Sequence, residues 1–152
     1  MGNLHKSSSH IQAQAEEVIF SQIEKLFNIC FEKNKKIYFA DNAFTYMQPD
    51  FYSEEHLIVG EIFAHIGKPK KAQDNKVAND ILKMLLLEKT TGKQYRKLIV
   101  VCDTSEKKKL EGKSVLAESI RQFGIEILCV EIDSDMKQQI IDAQELQKMT
   151  NV

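Results

Sequence analysis

The run Leu98-Ile99-Val100-Val101-Cys102 narrows what this chain can become more than any other stretch. Five apolar residues without a polar break, too short for a helix, read as a strand covered on both faces. Such a strand needs a layer above and a layer below it, so helices must lie on either side of a sheet. The flanking sequence supplies them. Ile11, Ala15, Ile19, Ile23, Leu26, Phe27 and Cys30 recur at helical spacing over residues 10–33, with Ser9 as a candidate cap. Gln73 or Asp74 opens a second helix through Val77, Ala78, Ile81, Leu82 and Leu85, ending near residues 90–92. Asp103-Thr104-Ser105 caps a third, which runs past Leu110, Val115, Leu116 and Ile120 to a stop at Gly124. Residues 125–132 read as a further strand, and Ser134 begins a polar helix reaching about Met149.

Between the first two helices the period changes from 3.6 to 2. Ile37-Tyr38-Phe39-Ala40 reads as a strand and Asp41-Asn42 as a turn. Two apolar runs, residues 44–52 and 57–65, then flank the polar Ser53-Glu54-Glu55-His56 and read as a β-hairpin. So short a connection forces antiparallel pairing, whereas the later strand–helix–strand unit should be parallel with a right-handed crossover. The expectation is an α/β fold: a mixed sheet with helices on both faces.

Strand alternation places Val59, Glu61 and Phe63 on one face, so Glu61 points into an apolar layer. A carboxylate there is costly unless it is paired or holds a cation. The hairpin turn brings Asp50 to within a residue or two of the position opposite Glu61, and two carboxylates together suit a hard metal. Glu16 lies on the buried stripe of the first helix and would add a third, although an acid near a helix N-terminus is favoured by the dipole alone. A one-residue slip in register would instead turn Glu61 to solvent.

A chain of 152 residues, 43% hydrophobic, with a formal net charge of −1 fits one domain over residues 10–152 behind a flexible polar tail, residues 1–9. No apolar run is long enough to span a membrane and no export segment is visible, so a cytoplasmic chain with no membrane partner is expected. Met1-Gly2 invites myristoylation, but Lys6 stands where that signal needs Ser or Thr. Cys30, Cys102 and Cys129 lie inside apolar patterns and read as buried free thiols. Near-neutral charge means that nucleic-acid binding must come from a local patch. Lys68, Lys70 and Lys71, in a Gly/Pro loop beside the hairpin, are the candidates, and a solvated loop explains them equally well. Lys107, Lys108 and Lys109 read as a solvated helix start, and His65 as a satisfied or exposed histidine rather than a ligand. No GxGxxG, P-loop, CxxC pair or HExxH supports nucleotide or zinc binding.

The element order, with Pro49-Asp50 and Glu61 in consecutive strands, resembles the restriction-endonuclease-like superfamily, the PD-(D/E)xK nucleases. The resemblance covers about residues 10–102, an α-β-β-β-α-β core, and leaves an α-β-α extension at the C-terminal end. The string from Glu61 to Lys76 looks like an uncharacterised bacterial branch of that superfamily. The resemblance implies an endonuclease that hydrolyses DNA phosphodiester bonds with Mg²⁺, or Mn²⁺ as substitute, held by Asp50, Glu61 and Glu16. A homodimer cutting both strands is one form it would take. The sequence departs from the pattern at Phe63, where the motif lysine belongs. Some members supply the lysine from the next helix, and there Gln73 and Lys76, three residues apart, match the catalytic positions. Lys76 also precedes Asp80 by four residues, the spacing of an ordinary helix ion pair. The alternative function is a catalytically inactive module of the same fold that binds nucleic acid or protein.

Overall fold

The structure is a computed structural model that describes residues 3–39, 44–67 and 71–150. Helix α1 (Asn3–Phe27) takes in most of the stretch read as a flexible tail, and Ser9 lies inside it rather than capping it. Serine costs a helix interior only about 0.5 kcal/mol. Once Ala15, Ile19 and Ile23 are fully buried, propagation toward the N-terminus is cheap. The helix stops short of the expected Lys33. Asn28 adopts the left-handed conformation (φ 55°), and the Ile29 N–H donates back to the Glu24 carbonyl at 3.3 Å.

Four short strands, not three, precede the second helix. β1 (Ile37–Tyr38) and β2 (Tyr46–Met47) pair antiparallel as a separate ribbon, while β3 (Phe51–Ser53) and β4 (Ile58–Phe63) make the expected hairpin. The apolar run 44–52 is split between the two because Pro49 offers no N–H to a ladder. The turn expected at Asp41-Asn42 lies outside the described residues. Helix α2 (Lys71–Thr91) crosses to β5 (Arg96–Val101). Helices α3 (Thr104–Leu110) and α4 (Val115–Gln122) lead to β6 (Ile125–Cys129), followed by α5 (Ser134–Thr150). Among the described residues the fold is thus mixed α/β, with five helices and a sheet ordered β3-β4-β5-β6. The sheet is antiparallel at the hairpin and parallel thereafter.

The single helix expected between β5 and β6 is two helices. Gly112 interrupts it, and Ser114 recaps the chain by accepting the Ala117 N–H at 3.0 Å. As a result Lys107, Lys108 and Lys109 occupy the last turn of α3, where the helix dipole favours them, and not a helix start. The expected capping of α3 by Asp103 and the stop at Gly124 (φ 66°) are both present. Of the three free cysteines only Cys102 is buried; Cys129 is half-buried, and Cys30, just past the end of α1, is exposed. None of the described helices is long and apolar enough to cross a membrane.

Alternation along β4 and β5 builds two apolar layers. Val59, Phe63, Ile99 and Val101 pack with Val77, Ile81, Met84 and Leu87 of α2 and with Leu110 and Ile120 of α3 and α4. Ile58, Ile62, Leu98 and Val100 pack on the other side with Ala15, Ile19 and Ile23 of α1 and Ile140 of α5. The hairpin register is locked by shape. Phe51 faces Gly60 across the strands, and a Cβ on Gly60 would lie 1.9 Å from the Phe51 ring. Gly60→Ala should therefore lower stability by about 2–3 kcal/mol through overpacking, as read from urea denaturation. A change under about 0.5 kcal/mol would show that the ring is free to move.

Candidate functional site

The site begins with the hairpin register. Phe51 pairs with Gly60 and Tyr52 with Val59, so one further step sets Asp50 opposite Glu61. Glu61 lies on the Val59 and Phe63 face beside Ile99, only 8% exposed, as alternation requires. Asp50 follows Pro49 at the edge of the sheet, and its Oδ2 accepts the Ile62 N–H at 2.7 Å. The Asp50 carboxyl is close enough to act on the protonation of Glu61. Burial, then the negative charge of Asp50 and that of Asp80, hold Glu61 far above the usual carboxylate range. At neutral pH Glu61 therefore holds its proton.

Asp80 is the residue that sequence reasoning missed. It is 5% exposed on α2, and its Oδ2 has no hydrogen-bond partner. Lys83 approaches the other oxygen at 3.6 Å. Burial raises its proton affinity, and Lys83 and Lys76 oppose that rise. Lys76, Asp80 and Lys83 are spaced i, i+4 and i+7, a polar stripe down a helix face turned toward the hairpin. The stripe was legible as spacing, but nothing in the sequence distinguishes it from a solvated face.

Glu16 sits across the edge of the sheet on α1. Its proton affinity is raised by burial and then by Asp50, and eased by a hydrogen bond with Gln12 and by Lys76. Glu16 is thus within electrostatic reach of Asp50, while Glu61 feels Asp50 and Asp80. The acids form a chain from α1 through the hairpin to α2. Lys76 projects over the Phe63 ring with its Nζ 5.2 Å from the centroid, so an ammonium stands above the side chain at the missing-lysine position. Lys71 is exposed at the start of α2, and Lys68 and Lys70 lie outside the described residues.

A cleft of about 440 Å³ opens beside this chain of acids at the C-terminal ends of β4 and β5. Its described wall includes Glu16, Gln73 and Lys76, but not Asp50 or Glu61. His65 and the buried Glu106 of α3 also line it, His65 Nδ1 standing 3.4 Å from Glu106 Oε1 without hydrogen-bond alignment. Glu106 too escaped the sequence reading, because α3 is too short to show a periodic buried face.

Among the described residues no set of three or more Asp, Glu, His or Cys side chains is already gathered as a metal cage. Magnesium does not need one, since it is commonly held by one or two carboxylates with water and phosphate oxygens completing the shell. An all-oxygen donor set, a buried Glu61 whose proton affinity Asp50 raises and an orphaned buried oxygen on Asp80 fit a hard cation.

The proton on Glu61 has a measurable consequence. A folded-state affinity above the unfolded value means that the native chain retains a proton which the unfolded chain releases. The associated stability is present below the unfolded pKa and is lost as pH rises toward the folded one. In chelator, parent stability should fall between pH 5 and 9 more steeply than that of Glu61→Gln, with a difference in slope of up to about 1.4 kcal/mol per pH unit. Parallel stability curves by urea denaturation would show that Glu61 does not carry the proton. In comparisons with known proteins, no family model, no curated protein and no solved structure matches this chain.

Proposed function

We propose that the protein is a metal-dependent nuclease of restriction-endonuclease-like fold, hydrolysing DNA phosphodiester bonds at the Asp50–Glu61 pair. The observation that carries this reading is the buried Glu61 carboxyl, its proton affinity raised by burial and by the neighbouring Asp50, with Lys76 held over Phe63. The order helix, antiparallel hairpin, crossover helix and parallel strand supports the fold assignment. Asp50 and Glu61 would hold a magnesium ion, with Asp80 on the α2 side and Glu16 on the cleft side as further oxygen donors. Bound there, the ion would supply an activated water and neutralise charge on the phosphoryl oxygens.

The chain's own residues do the remaining work. Glu61 gives up its proton so that both carboxylates can act as ligands. Asp50 stays oriented because the Ile62 N–H holds one of its oxygens. Lys76 replaces the motif lysine from α2, its flexible stem lying over the ring that occupies the strand position. Gln73, one turn earlier on α2, lines the cleft together with Lys76 and with Glu16 of α1. Lys71 at the start of α2, with Lys68 and Lys70 before it, would meet the DNA backbone. Phe63 at the lysine position is what favours the second reading, an inactive module of the same fold.

The experiment separates binding from chemistry. Mn²⁺ titrated by calorimetry should bind the parent with an apparent affinity that rises with pH by up to about tenfold per unit, because a proton must leave. Asp50→Asn and Glu61→Gln should abolish most of that binding. Lys76→Met should leave it intact and slow oligonucleotide cleavage by about a hundredfold or more. Unchanged Mn²⁺ affinity in both acid variants would overturn the site. Metal binding without cleavage of any DNA substrate would leave the inactive-module reading in its place.

A further inference from the structure

We propose that the β1–β2 ribbon is a stacking platform for unpaired nucleotides, so that the substrate presented to the carboxyl pair is single-stranded or frayed. The proposal rests on the nuclease reading for where the strand leads, but not for whether it binds. Ribbon alternation gives two unlike faces. Ile37 and Met47 are cross-strand partners, with Met47 2% exposed and Ile37 packed on the α2-side core; Phe39, two residues after Ile37, is buried there too. Tyr38 and Tyr46 are the other pair and point outward, 46% and 41% exposed, and Phe44 just before β2 is 90% exposed. The inner face thus anchors the ribbon, and the outer face presents aromatic rings on a seated backbone.

An isolated two-stranded ribbon is marginal in water, and leaving the two tyrosine rings exposed on it is costly unless they meet something. Cross-strand packing of the tyrosines, whose centroids are 5.3 Å apart at 59°, helps to hold the ribbon. It leaves much of both rings open to solvent. A cation stands beside them: Lys36 Nζ lies 5.0 Å from the Tyr46 centroid, while Lys33 and Lys35, earlier on the same connection, lie over the Phe20 and Tyr52 rings. Lys35 and Lys33 pair with the exposed Glu32 and Glu17, contacts that compete weakly with a phosphate in water. Exposed rings beside Lys36, with two further lysines on the approach, are what a single strand requires: a π-face for each base and positive charge for its backbone. An aliphatic protein partner would gain nothing from the lysines. Met47 is also only three residues before Asp50, an extended reach of about 10 Å from platform to carboxyl pair.

The test uses a fluorescein-labelled twelve-residue oligothymidylate and a duplex of equal length, both in EDTA so that no cleavage occurs, with binding read by anisotropy. The parent should bind the single strand more tightly than the duplex. Tyr38→Leu with Tyr46→Leu should weaken single-strand binding by about tenfold or more while leaving duplex binding unchanged. Tyr38→Phe with Tyr46→Phe retains the rings and should retain the affinity, which separates lost stacking from a misfolded ribbon. Equal affinity of parent and Leu variant, equal binding of single strand and duplex, or no binding of either would overturn the platform. With Mn²⁺ restored in a parallel cleavage assay, tight single-strand binding by a protein that cleaves no DNA would uphold the platform and sink the nuclease. Cleavage with an unaffected Leu variant would do the reverse.

Discussion

A carboxyl buried in an apolar layer without a cation of its own is the constraint around which this structure is arranged. The same face of the sheet shows how such a problem is otherwise solved. Lys97 of β5 is 7% exposed, and Glu88 of α2 meets its ammonium at 2.9 Å. Glu61, one strand over, has no such partner. It faces Asp50, with Asp80 near, and Lys83 offsets these acids only in part. A group in that position escapes its desolvation cost by taking up a proton. The native state therefore carries a protonation that a cation would replace.

The crossover helix links this electrostatic strain to the fold. Helix α2 connects two parallel strands and buries Val77, Ile81, Met84 and Leu87 against them, so its rotation about its own axis is fixed by packing. That rotation carries Lys76, Asp80 and Lys83 toward the hairpin as one stripe. The apolar contacts that close the sheet therefore also set the distance between ammonium and carboxyls. On the proposed reading, precise placement of Lys76 comes from core packing and not from any polar contact of its own.

Legibility in the sequence followed how local the deciding interaction was. The unbroken run through Val100, the hairpin with Asp50 opposite Glu61, and the burial of Glu61 all follow from alternation and turn chemistry, which act over a few residues. Pro49 splitting the strand was equally local, and its missing N–H was signal enough had it been weighed against the apolar pattern. Asp80 and Glu106 were not readable, because their burial depends on which helix face meets the sheet. The extension of α1 past Ser9 is a third kind of case, in which weak local preference yields to cooperative propagation from a well-buried segment.

The most direct test is crystallographic. Crystals grown at neutral pH and soaked in Mn²⁺ would give an anomalous peak at the manganese edge. The account expects a single peak at about 2.1 Å from oxygens of both Asp50 and Glu61. A peak elsewhere, or no peak at saturating Mn²⁺, would contradict it.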